Sequence, residues 1–155
     1  MDLASIGETL GIYGGTLVVS LISGAVPLVS IEVYLVALAL VVRSPWTLAA
    51  LVVLATVGQM LAKLALYYAA RGGGHLGSAR HQARMARMRT RVAAWQRRPL
   101  WVLWASATIG LPPLYLVTLA AGLLEIRPLT FMVIGTIGRL GRYGVVVAAA
   151  VLGAS

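Results

Sequence analysis

The sequence predicts an all-α integral membrane protein: two inverted repeats, each a re-entrant or broken helical hairpin followed by a transmembrane helix, joined by a basic amphipathic cytoplasmic helix. Three observations predict it. The 155 residues are 60% hydrophobic and only 11% charged, against about 45–50% and about 25% in soluble domains. Two apolar segments, at 10–42 and 100–125, are each interrupted near the centre by glycine and proline. Each is followed by a basic residue, a proline and a long apolar run, at 46–70 and 129–153.

The elements follow in order as one membrane domain over 1–155. The first repeat takes 1–70. Its hairpin, about 10–42, is too long for one span of roughly 20 residues and short for two, and Gly24 and Pro27 mark its tip. Irregular backbone at membrane depth is tolerated where protein buries it or a cavity solvates it. Pro45 suits the first turn of the following helix. On that helix Gln59, Lys63 and Tyr67 recur every fourth residue and form one polar stripe, while Ala55, Gly58 and Ala62 offer a close-packing face.

The connector, 71–98, holds eight of the thirteen basic residues and no acid. Arg80, Arg84, Arg87 and Arg91 share one helical face, beside Met85, Met88, Val92 and Trp95. A helix of this kind lies on an anionic membrane surface; an ordinary cytoplasmic loop obeying the positive-inside rule is the plainer alternative. Aromatic interleaving is limited to Trp95, so the net charge of +9 does not indicate nucleic acid. The start, Met1-Asp2-Leu3, has no basic residue before Arg43, and insertion without processing is expected.

The second repeat takes 99–155. Gly110, Pro112 and Pro113 interrupt its hairpin, and Pro113 removes a helical hydrogen bond. In the last helix Gly135, Gly138 and Gly141 read as a packing series. Arg139 and Arg142 fall near its middle, where a charge costs at least about 2.5–3.5 kcal/mol and usually faces a protein interior or a watery cavity. The halves correspond: Gly24-Ala25-Val26-Pro27 answers Gly110-Leu111-Pro112-Pro113, and Thr56-Val57-Gly58 answers Thr136-Ile137-Gly138. With the connector in the cytoplasm the hairpins dip from opposite faces, a plan common among transporters.

Glu32, Lys63, Arg139 and Arg142 are thus the intramembrane ionisable groups. They sum to +2, a balance suited to an anionic phosphate headgroup, for which the planar arginine fork is apt. Tyr115 and Gln59 complete the candidate set. Glu32 is placed to bind a proton, since desolvation and neighbouring cations pull its ionisation in opposite directions. A buried ion pair between Glu32 and one cation, holding the hairpins together, is the structural alternative. With no cysteine, thiolate chemistry is excluded. His75 and His81 lack carboxylate partners, and no serine has a His-acid partner. The expectation is no enzyme, no metal and no cofactor.

The stretch Pro27-Leu28-Val29-Ser30-Ile31-Glu32-Val33-Tyr34-Leu35-Val36-Ala37 resembles the first hairpin of the DedA family, also called the VTT or SNARE-associated Golgi protein family. Tyr67-Tyr68-Ala69-Ala70-Arg71-Gly72 resembles the end of its glycine-rich helix, and Ala120-Ala121-Gly122 the stretch after its second hairpin. Ile137-Gly138-Arg139-Leu140-Gly141-Arg142-Tyr143 is similar to the Gly-Lys/Arg-x-x-Arg-Tyr of the short YqaA-like branch. The resemblance implies facing re-entrant hairpins in a bacterial cytoplasmic membrane and movement of an anionic lipid, undecaprenyl phosphate or a phospholipid, with proton coupling. One departure is plain: the arginines that many members carry around the second hairpin's proline are missing from 108–115, which leaves Arg139 and Arg142 to supply that charge. The alternative function is a non-transporting scaffold acting through the basic helix. A homodimer is plausible on grounds of size.

Overall fold

The computed structural model describes residues 3–26, 28–73, 83, 86–87, 90, 99–110 and 114–154. The hairpin residues Pro27, Pro112 and Pro113, the connector residues Arg80, Arg84 and Arg91, and both histidines lie outside the described residues. Arg87, which is described, is helical and exposed.

Six helices and no strand occur among the described residues: α1 (Leu3–Ala25), α2 (Ile31–Val41), α3 (Pro45–Gly73), α4 (Pro99–Thr108), α5 (Leu114–Leu123) and α6 (Pro128–Gly153). Only two of them are long and apolar enough to cross a membrane, at Pro45–Gly72 and Pro128–Gly153, with mean hydropathy 1.9 and 1.3. At 1.5 Å per residue, α2, α4 and α5 reach only about 15–17 Å, half of a hydrocarbon core of about 30 Å. Both apolar segments are therefore broken where glycine and proline interrupt them. The first arm is longer than expected, since α1 starts at Leu3 rather than near residue 10.

Local chemistry sets the boundaries. The Ser30 Oγ accepts from the Val33 N–H at the start of α2, and the Ser44 Oγ accepts from the Thr47 N–H beside Pro45. Pro128 opens α6, where its missing N–H costs nothing. Gly110 ends the α4 segment at φ +88°, a conformation that only glycine enters freely.

The long helices run antiparallel. Pro45 and Leu48 of α3 lie beside Val151 of α6, while at the other end the Tyr67 and Phe131 rings stack with centroids 5.5 Å apart. The arms of each broken segment pack mainly on different long helices: α1 along α3 but α2 on α6, and α4 along α6 but α5 on α3. Two apolar clusters result. One gathers Ile31, Leu35, Leu48, Val52, Tyr143 and Val147; the other gathers Met60, Tyr67, Leu103, Val117 and Phe131.

Small residues set the spacing. A Cβ on Gly58 would fall on the Ser20 side chain, and one on Gly138 would stand 2.6 Å from the Ala107 Cβ. Gly24 meets Ala62 and the Gln59 backbone, so it serves as a packing position on α1, a short way before the break itself. Gly135 abuts the end of Met60. Gly141 departs from the expected packing series: it is exposed and a Cβ there would meet open space, because its side of α6 points away from α3 and α4.

Gly138→Val should lower stability by about 1–3 kcal/mol, the usual cost of forcing volume into a packed contact. Gly141→Ala should stabilise by a few tenths of a kcal/mol or more, through helix propensity alone. Thermal unfolding of both variants in detergent measures the contrast.

Candidate functional site

The fold turns Lys63 and Arg139 toward an internal cavity. Lys63 is 3% exposed, as is Gln59 one turn earlier on α3. The predicted stripe is thus an interior surface. Its third member, Tyr67, is fully buried and donates to the Ile126 carbonyl, which pins the chain leaving α5 to α3.

A hydrogen-bonded chain links three helices. Gln59 Nε2 on α3 donates to Ser23 Oγ on α1 at 2.5 Å. Tyr143 OH on α6 donates to Gln59 Oε1 at 2.7 Å, and Arg139 Nη1 donates to the Tyr143 OH. Arg139 and Tyr143, one turn apart, form a unit whose guanidinium also lies 5.6 Å from the tyrosine ring centroid. The Arg139 Nε is buried and has no hydrogen-bond partner among the described residues. Leaving such a donor unsatisfied costs about 1–3 kcal/mol, more for a charged group.

Glu32 on α2 pairs with Arg142, Oε1 to Nε at 2.7 Å. The ion pair offered as the structural alternative therefore exists, and its cation among the described residues is Arg142. It is not sealed, with side chains 34% and 28% exposed. The Arg142 guanidinium occupies the space that a Cβ on Gly110 would need. An arginine thus stands at the second hairpin although that hairpin's own sequence supplies none.

Once Glu32 is matched to Arg142, Lys63 and Arg139 remain without a carboxylate partner among the described residues. Lys63 Nζ instead lies 5.4 Å from the centroid of the Tyr115 ring, a contact worth about 0.5–2 kcal/mol and far short of neutralisation. Both cations line a cavity of about 210 Å³, with Ser23, Ser30, Glu32, Gln59, Tyr115 and Tyr143 among its other walls. That is below the roughly 300–1,000 Å³ of pockets for whole drug-sized molecules. It has room for a polar headgroup with its apolar remainder left outside.

Every member of the predicted set that is ionisable, together with Gln59 and Tyr115, borders this cavity or the adjoining Glu32–Arg142 pair. Sequence reasoning missed two participants, Tyr143 and Ser23. The four-residue spacing from Arg139 to Tyr143 was a usable signal for the first; nothing local marks Ser23, whose role depends on α1 lying along α3.

The sequence matches no protein-family model, and neither a curated protein nor a solved structure matches it.

Glu32→Gln and Arg142→Gln should each destabilise by about 1 kcal/mol or less, as partly solvated pairs do. The double variant should lose less than the sum of the two, since one interaction is removed in both. Denaturant unfolding of the three variants in detergent checks the cycle.

Proposed function

We propose that this protein is a DedA-like transporter that flips an anionic lipid, undecaprenyl phosphate or a phospholipid, across a bacterial cytoplasmic membrane, with the 71–98 connector in the cytoplasm. The observation that carries the reading is the cavity walled by Lys63, which is buried, and Arg139, which is half-buried, two cations without carboxylate partners among the described residues. Such a site is incomplete without an anion. A phosphate oxygen accepting from the buried Arg139 Nε would satisfy a donor that no group among the described residues meets.

The symmetry of the helix pairings supports the same reading. Exchange of α1 with α4, α2 with α5 and α3 with α6 reproduces the main packing scheme. Matched positions meet matched partners: Gly58 on α3 receives α1 at Ser20 as Gly138 on α6 receives α4 at Ala107, and Gly24 faces Ala62 as Gly110 faces Arg142. Broken half-length helices that meet near mid-bundle are how many transporters build a substrate site.

In the mechanism this implies, the phosphate enters between Lys63 and Arg139 while the acyl or isoprenoid chains stay in the bilayer. Tyr143 and Gln59 hold the Arg139 fork in place. Glu32 keeps Arg142 engaged while ionised; protonation of Glu32 frees Arg142 to join the phosphate, which couples proton uptake to headgroup movement.

Reconstitution in liposomes with a fluorescent anionic lipid tests the function. Wild type should flip it, and Arg139→Ala and Lys63→Ala should slow flipping roughly tenfold or more, given about 1.5–3 kcal/mol for a hydrogen bond to a charged group. Glu32→Gln should retain flipping but remove its dependence on a pH gradient. Absence of flipping by folded wild type with every anionic lipid tried would sink the proposal.

A further inference from the structure

A groove of about 590 Å³ runs between α3 and α6 and shares no lining residue with the polar cavity. Every side chain that lines it is apolar. Leu48, Val52 and Val147 are its buried members, while Ala49, Gly144 and Ala148 are exposed. It extends from Pro45 to Val53 on α3 and from Gly144 to Leu152 on α6. At 1.5 Å per residue that is about 12 Å of each helix. One leaflet supplies half of a hydrocarbon core of about 30 Å, so the groove is close to one leaflet deep.

The groove has a polar end. An adjoining pocket of about 280 Å³ shares Pro45, Leu48 and Val151 with it, and Arg43 is the pocket's one charged lining residue. Arg43 is exposed, and its guanidinium makes no hydrogen bond or ion pair among the described residues. It stands just before Pro45, where the membrane-crossing stretch of α3 begins. Trp46, 84% exposed, lies at the same level, and tryptophan is enriched where membrane meets water. A cation at the boundary thus leads into an apolar furrow along the hydrocarbon.

We infer that this groove seats one acyl chain of an anionic phospholipid whose phosphate is held by Arg43. The guanidinium fork matches phosphate oxygens, and a cation near the surface favours lipids of net negative charge. The small residues leave depth for a chain: a Cβ on Gly144 would meet nothing within 4 Å. A second copy of this chain suits the groove less well. Inserted the same way and docked through the same patch, it would bring two Arg43 side chains to one level, and no acid lines the groove or the pocket to offset them. The inference goes beyond the transport reading and does not rest on it; it needs only that α3 and α6 cross the membrane.

Native mass spectrometry of the full chain in detergent tests it, with dioleoyl phosphatidylglycerol and dioleoyl phosphatidylcholine as probes. Wild type should retain one phosphatidylglycerol at concentrations where phosphatidylcholine is lost. Arg43→Gln should weaken that retention about fivefold, the equivalent of about 1 kcal/mol for one basic residue at the surface, and should abolish the preference between headgroups. Gly144→Leu and Ala148→Leu each put a side chain into the groove and should release the lipid. Gly141→Leu, also exposed with open space at its Cβ but outside the groove, should retain it and show that α6 tolerates such a change. Equal retention of both lipids by wild type would overturn the inference. So would retention that survives both groove-filling variants, which would put the lipid elsewhere, or a wild-type dimer that those variants convert to monomer, which would make the occupant a second copy. Retention with these properties in a protein that flips no lipid would uphold the site and tell against the transport reading alone.

Discussion

Tyr143 donates to Gln59, Gln59 donates to Ser23, and Arg139 donates back to Tyr143, and through these bonds the two long helices are locked in one rotational setting. Neither hydrophobic cluster specifies that setting alone, because apolar contacts are non-directional. A hydrogen bond between buried amide and phenol groups is directional, and a register shift of either helix would leave several polar groups stranded. The penalty for stranding is what makes the arrangement single-valued.

Close approach is the second requirement. The polar chain spans α1, α3 and α6 only because these helices come near each other, and the near approach runs through Gly58 against Ser20 and Gly135 against Met60. A further glycine shapes the site indirectly. At Gly110 the missing side chain leaves the space that the Arg142 guanidinium fills, so a backbone feature of one segment decides where a charge of another helix comes to rest. Energetically the region is a compromise. Among the described residues one ion pair is formed and partly solvated, and the two cations that line the cavity have aromatic and hydroxyl partners. A protein selected for stability alone would replace Lys63 and Arg139 by apolar residues, since buried charges that lack excellent partners seldom repay their desolvation.

Much of this was legible in the sequence. Hydropathy and charge determined an all-helical chain with two long apolar helices, because length and composition by themselves decide what can cross a membrane. Glycine and proline located the breaks in the two shorter segments, through backbone rules that need no tertiary context. The four-residue spacing of Gln59, Lys63 and Tyr67 put them on one face, and in the structure that face is turned inward.

The tertiary structure alone decided the pairings. Glu32 has three cations within the apolar segments to choose from, and its choice of Arg142 follows from α2 docking on α6 rather than on its own neighbour α1, a long-range contact with no local signal. That choice leaves Lys63 and Arg139 without a carboxylate partner among the described residues. The glycine series likewise looked uniform in one dimension, yet Gly135 and Gly138 face packed neighbours while Gly141 faces open space, because α6 turns 100° per residue and only part of its circumference meets another helix. Periodicity tells which residues share a face; which face meets which partner is set by packing across the whole chain.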